Sequence, residues 1–289
     1  MKNGYLAPAG FEEQLAQELP EAKRFGRLFL SHPPAQRPLW VQNTWHEPQL
    51  ISFTSITDAA KKLREIGKLW TFYPYQLVRK GALIQEKLPF FSPKPHPFPC
   101  LLPRAPLGSW MLLDDKTLLA APNTSSPFPN GEPQFLQTPI PPSRAYIKLW
   151  ELFTLTGQMP KPGELCLEIG ASPGSWTWVL TEIKARVTAV DRAPLDPKIT
   201  PDAFLKKDAF TLDPDPCVDW LFSDAAATPE KLLRWIEKWL LSGSRAKMVC
   251  TLKFQGKTDY AIAREFEKIP DSSLMHLAHN KHELTWFRH

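Results

Sequence analysis

A chain of 289 residues, 43% of them hydrophobic, is long enough to bury the cores of two domains. No apolar run reaches the roughly 18 residues of a membrane span, and the opening MKNGYLAPAGFEEQ lacks the apolar core of a secretory signal. The net charge is a modest +5, and Cys100, Cys166, Cys217 and Cys250 form no C-x-x-C pair, so a reduced, cytoplasmic protein without a metal is expected.

Taken in order, the chain opens as a small α+β domain. After Gly10, FEEQLAQEL repeats Phe11, Leu15 and Leu19 at helical spacing, with acids in its first turn. Asp58–Leu69 reads as a second helix capped by Thr57. From Lys61 to Arg104 nine basic residues (Lys61, Lys62, Arg64, Lys68, Arg79, Lys80, Lys87, Lys94 and Arg104) face only Glu65 and Glu86. Trp70, Phe72, Tyr73 and Tyr75 lie among them, and that mixture fits a nucleic-acid surface, with charge for phosphates and rings for unpaired bases. Solvated lysines beside a core aromatic cluster are the alternative, and both readings stay open.

Prolines recur from Pro89 to Pro106, which predicts extended or irregular chain. SWMLL and TLLAAP, on either side of Asp114-Asp115-Lys116, read as a hairpin. Ser125–Pro142 is rich in proline and reads as a linker. The expected organisation is therefore an N-terminal domain over 1–126, a linker over 127–142 and a second domain over 143–289.

The second domain opens with SRAYIKLWELF, a helix with Ser143 as cap, Lys148 near its middle, and Ala145, Leu149, Leu152 and Phe153 on one face. The stretch ELCLEIGASPGSWTWVLTEIKARVTAVD then organises the rest. A buried strand stops at Gly170, a loop of small residues follows, a helix carries Trp176, Val179, Leu180 and Ile183, and a second strand ends in Asp191. This is half of a doubly wound sheet, which binds ligands at the carboxyl ends of its strands. GASPGS is not G-x-G-x-x-G, and Pro173 removes a backbone donor that a pyrophosphate would use. The loop suits a ligand without phosphates, S-adenosyl-L-methionine above all, whose ribose diol Asp191 could hold. Strands follow at Ala203–Leu205, leading to Asp208, at VDWLFSD, ending in Asp224, and at Lys247–Leu252, with Lys253 directly after. A helix over 258–268 leads to two last strands, Leu274–His279 and the segment from Glu283, joined by a turn at Asn280-Lys281.

SRAYIKLWELF, LEIGASPGSW, the strand ending in SDAA, LKFQGKTDY and HNKHELT, in this order, resemble the FtsJ-type ribose 2′-O-methyltransferases. APAGFEEQLAQEL and NTSSPFPNGEPQF extend the likeness to the branch that methylates a cytidine ribose in large-subunit (23S) ribosomal RNA and carries a THUMP-type RNA-binding domain. The resemblance implies a Rossmann-like class I methyltransferase with a seven-stranded sheet whose last strand is antiparallel, an α/β fold, preceded by an α+β THUMP-like domain. It implies a catalytic tetrad of Lys148, Asp224, Lys253 and Glu283. Lys253 is then the base and Lys148 the like charge that holds the hydroxyl, while Asp224 orients Lys253 and Glu283 orients Lys148 or the ribose. It implies S-adenosyl-L-methionine held by Glu168, Gly170, Ser172, Pro173, Gly174, Ser175, Trp176, Asp191, Asp208 and Asp224, with Asp208 on the adenine amine.

Two departures stand out: the family opens its loop D-x-G-x-x-P-G-G, where this chain has Glu168 and Ser175, and the N-terminal part is shorter than in that branch. The partner implied is RNA, ribosomal first of all. A transfer RNA, a small-subunit site, a cap, or a role in RNA binding without catalysis are the other readings.

Overall fold

The structure is a computed structural model, and it describes residues 2–89, 94–102 and 107–289. It divides into two compact units, Met1–Leu136 and Gln137–His289.

The first unit runs β1 (Asn3–Leu6), α1 (Glu12–Glu18), β2 (Lys23–Phe25), β3 (Leu28–Ser31), β4 (Asn43–His46), β5 (Gln49–Ser52), α2 (Ile56–Ile66), β6 (Leu69–Phe72), α3 (Val78–Gln85), β7 (Leu107–Leu112), β8 (Thr117–Ala121) and β9 (Asn123–Thr124). Two sheets form, ordered β2-β3-β1-β4-β9 and β5-β8-β7-β6. The antiparallel pair β7–β8 is the hairpin expected around Asp114–Lys116.

Helix α2 starts earlier than expected, and its cap is Ser55 rather than Thr57. The Ser55 hydroxyl accepts from the Asp58 N–H, and the Asp58 carboxylate accepts in turn from the Thr54 N–H. Several neighbouring polar residues could each cap a helix, and this reciprocal pair decides between them.

Most of the aromatic residues among the basic ones turn out to be core. Trp70 is fully buried beside Trp110, its indole N–H donating to the Leu63 and Gly67 carbonyls. Phe72 packs on Trp110, and Tyr73 is buried with its hydroxyl accepting from the Arg27 N–H. Only Tyr75 of the four is exposed, so three of the rings proposed for unpaired bases are committed to packing. Lys61, Arg64, Lys68, Arg79 and Lys87 are exposed. In the proline-rich stretch, residues 94–102 form no helix and no strand beyond one bridge between His96 and Phe135. Residues 90–93 and 103–106, with Arg104, lie outside the described residues.

The second unit runs α4 (Tyr146–Thr156), β10 (Leu165–Ile169), α5 (Ser175–Glu182), β11 (Arg186–Asp191), β12 (Ala203–Lys206), β13 (Trp220–Ser223), α6 (Pro229–Leu241), β14 (Lys247–Lys253), α7 (Tyr260–Glu267), β15 (Ser272–Met275) and β16 (Glu283–Arg288). The sheet order is β12-β11-β10-β13-β14-β16-β15. The first five strands in that order are parallel, and β16 is antiparallel to both of its neighbours. The chain enters at β10, winds outward to β12, then returns to β13 on the other side of β10. The reversal leaves a crevice between the carboxyl ends of β10 and β13, where such sheets place their ligands.

Three local expectations are corrected here. Helix α4 begins at Tyr146 without a side-chain cap, because the Ser143 hydroxyl bonds Ser175 Oγ at 2.8 Å and accepts from the Ala145 N–H. Lys148 consequently sits in the first turn of α4, and residues 146–154 are buried all round rather than along one face. Strand β15 is shorter and earlier than Leu274–His279, because from His276 onward the polar groups bond to α4 and within the loop.

Candidate active site

The turn after β10 needs two left-handed residues. Gly170 has φ +70° and Gly174 has φ +111°, conformations that cost little only without a Cβ. At Gly170 a Cβ would also lie 2.4 Å from Ala225 Cα, so the turn and the end of β13 are in backbone contact. The carboxylate of Asp191 locks the turn from β11 by accepting from the Ser172 N–H (3.0 Å) and the Ala193 N–H (2.8 Å).

A cleft of about 330 Å³ opens at this crevice, walled by Gly170, Val190, Asp191, Asp208, Phe210 and Ala225 among others. It offers a bare backbone floor, an aromatic wall, and one carboxylate on each side, the donor set of a nucleoside site. A group with an adenosine half fits these residues.

A second cavity of about 630 Å³ is lined by Ser143, Arg144, Ala145, Lys148, Asp224, Lys253, His279, Lys281 and Glu283. Sheet register brings its chemistry together. Lys253 ends β14 directly opposite Glu283, which opens β16, and Asp224 follows β13 next door. Lys148 reaches in from α4. Its ammonium donates to Asp224 Oδ1 at 2.9 Å and Oδ2 at 3.1 Å, and to Glu283 Oε1 at 3.0 Å. Lys253 also reaches Asp224 Oδ1, at 3.1 Å, and donates to the Asp224 backbone carbonyl. One carboxylate therefore holds both lysines, where the resemblance implied that Asp224 orients Lys253.

Burial works to raise the Asp224 pKa, but the two ammonium groups and the Thr251 hydroxyl, 2.7 Å from Oδ1, outweigh it and hold the acid below its ordinary value. For Lys148, burial acts to lower the pKa, and Asp224 with Glu283 overcomes it, so Lys148 stays firmly protonated.

Residues 141–268 match the family of FtsJ-like methyltransferases. These residues are an FtsJ-like methyltransferase domain. The chain is an S-adenosylmethionine-dependent methyltransferase. Across its wider length it is similar to ribosomal RNA large subunit methyltransferase M of Xanthomonas oryzae pv. oryzae, at 29% identity over 91% of this chain and 72% of that protein. The protein of the same name from Methylococcus capsulatus is 34% identical over 46% of this chain and 40% of its own. Among solved structures, magnesium protoporphyrin IX methyltransferase from Synechocystis PCC 6803 covers 50% of this chain and 79% of its own, at 16% identity and a TM-score of 0.38. TrmN from Thermus thermophilus covers 99% and 98%, at 13% identity and a TM-score of 0.36. Neither score bears on function.

In the second unit the residues singled out from sequence fall into several groups. Lys148, Asp224, Lys253 and Glu283 converge on the larger cavity, and Gly170, Asp191 and Asp208 wall the smaller one. Glu168 stands behind that wall, with 1% of its surface exposed, accepting from the Thr177 hydroxyl at 2.6 Å; burial pushes its pKa up to about 8. Ser172 and Pro173 shape the turn and Gly174 opens α5. Ser175 and Trp176 face α4: Ser175 bonds Ser143, the Trp176 indole donates to the Ala145 carbonyl, and the Lys148 ammonium lies 5.5 Å from the centre of the Trp176 ring.

Sequence reasoning missed Phe210, Thr251 and the pair His279–Glu151. Phe210 could have been found two residues after Asp208. Thr251 was legible as a polar residue at period two from Lys253. Nothing in the sequence joins Glu151 to His279. Among the described residues no group of His, Cys, Asp and Glu is placed to hold a metal ion, and no helix is long and apolar enough to cross a membrane.

Proposed function

We propose that this chain methylates a ribose 2′-hydroxyl of large-subunit ribosomal RNA, at a cytidine, with Lys148, Asp224, Lys253 and Glu283 as its catalytic tetrad. The observation that carries the reading is one carboxylate, Asp224, holding Lys148 from α4 and Lys253 from the end of β14 beside a nucleoside cleft. The names of the relatives support the RNA. The exposed cations of the first unit support a THUMP-like RNA-binding role for it.

S-adenosylmethionine supplies a methyl already activated on a sulfonium centre. Asp191 holds its ribose diol and Asp208 its adenine amine, above the floor made by Gly170. The chain's remaining task is to align a ribose hydroxyl and take its proton. Lys148, kept protonated between two carboxylates, donates to the hydroxyl and steadies the charge that develops on it. Lys253 meets one carboxylate rather than two, and its side chain is 31% exposed against 7% for Lys148. Proton acceptance falls to Lys253. Asp224 keeps both lysines in place, and Glu283 fixes Lys148.

Mapping 2′-O-methyl sites in RNA from cells with and without the protein tests the reading. A large-subunit cytidine that loses its methyl group is the expected result. Loss at a transfer RNA or small-subunit site instead would replace the substrate, and no change at any ribose would remove the reading.

A further inference from the structure

The connection between β15 and β16, residues 276–282, is held far more tightly than a loop of its length requires. Three buried polar side chains serve it. Glu151 of α4, 2% exposed, accepts from the Ala278 N–H at 2.8 Å through Oε1 and faces His279 Nδ1 at 3.4 Å through Oε2. His276, 6% exposed, donates from Nε2 to the Lys281 carbonyl at 3.2 Å, and burial pushes its pKa down to about 4, so the ring stays neutral. The Asn280 amide donates to the Thr285 hydroxyl at 3.0 Å. At the loop's far end the His282 ring lies 3.0 Å from the Thr258 hydroxyl, and its carbonyl accepts from the Phe254 N–H.

Burying polar groups costs stability unless each is satisfied, and none of these bonds builds the apolar core. What they fix is the position of two outward side chains. His279 and Lys281 line the cavity that holds Lys148, Lys253 and Glu283. Glu151 Oε2 lies against His279 Nδ1, which leaves Nε2 for another partner.

We infer that residues 276–282 form a pre-built recognition loop for the RNA strand. Lys281 takes a backbone phosphate beside the target ribose, His279 bonds a polar edge of the target nucleotide through Nε2, and Glu151 is the positioning residue that aims His279. The inference rests on the methyl-transfer reading above and adds the contacts that choose the substrate.

Steady-state methylation of RNA by the purified chain, alongside calorimetry with S-adenosylhomocysteine, tests it. His279→Ala and Lys281→Ala should each raise KM for RNA roughly tenfold, the order expected for the loss of one hydrogen bond, with S-adenosylhomocysteine affinity unchanged. Lys281→Ala should also flatten the salt dependence of RNA binding by about one phosphate contact. Glu151→Gln should raise KM, and the double variant Glu151→Gln with His279→Ala should be no worse than His279→Ala alone. Additive losses in the double variant would reduce Glu151 to a support of the fold. Parent-like KM values in folded His279→Ala and Lys281→Ala would overturn the loop's role while leaving methyl transfer standing. A parent enzyme that methylates no RNA would sink both readings.

Discussion

One residue in this domain, Glu168, holds a protonation state opposite to what its type suggests. Its pKa of about 8 against an ordinary 4.5 means that it stays protonated while the unfolded chain gives up that proton. Stability is therefore highest below pH 4.5 as far as this group is concerned, and falls as the pH rises towards about 8. At neutral pH the cost is about 3 kcal/mol, at 1.36 kcal/mol per pH unit. Glu168→Gln keeps an oxygen for Thr177 and has no proton to lose, so its melting temperature should be flat where that of the parent falls. Scanning calorimetry at pH 5, 6.5 and 8 decides this, and parallel curves for the two proteins would exclude it. Lys253 is the proposed base. Lys253→Ala should abolish methyl transfer with S-adenosylhomocysteine binding intact. Lys253→Arg should be nearly as inactive, because guanidinium does not deprotonate. An active arginine variant would leave Lys253 a positioning role only.

At the scale of elements, the site depends on how the β10–α5 turn meets the end of β13. Gly170 combines a left-handed backbone with a Cβ position only 2.4 Å from Ala225 Cα, and backbone cannot swing aside as the tip of a side chain can. Gly170→Ala should therefore cost roughly 1–3 kcal/mol for the backbone conformation alone. It should also push the turn into the cleft or away from β13. The expected result, by calorimetry on the folded variant, is loss of S-adenosylhomocysteine binding. Unchanged affinity would mean that the turn tolerates the shift and does not floor the cofactor site. The tetrad depends on elements in the same way: the β14–β16 register sets Lys253 opposite Glu283, and the first turn of α4 delivers Lys148 to both acids.

At the scale of the whole molecule, the paired charges of Lys148, Asp224, Lys253 and Glu283 lie in one unit, and exposed cations such as Lys61, Lys68 and Arg79 in the other. Lys62 donates to the Ser52 carbonyl and pairs with Asp58, so it serves the fold of its own unit. Lys61, Lys68 and Arg79 are the exposed cations to test. Reversing these three to Glu should weaken RNA binding and flatten its dependence on salt, while affinity for S-adenosylhomocysteine holds. A salt slope equal to that of the parent would make them merely solvated.

By itself the sequence determined that Glu164–Asp191 is a strand, a ligand turn, a helix and a second strand, because apolar runs and small residues there are local signals. It also placed Asp224 and Lys253 at strand ends, since each closes a hydrophobic run. Other features were beyond local reading. Trp70 and Tyr73 stood among lysines in sequence, yet both are buried, because distant segments cover each of them: Trp70 packs in a cluster with Trp110, and Tyr73 in another with Trp45. Asp224 bridges two lysines because α4 brings Lys148 to the end of β13, a contact across 76 residues of chain. Glu151 and His279, separated by 128 positions, meet only once α4 lies against the loop before β16. Periodicity and caps are written in neighbouring residues, whereas the protonation of Glu168 and the aim of His279 depend on burial and on partners supplied from distant parts of the chain.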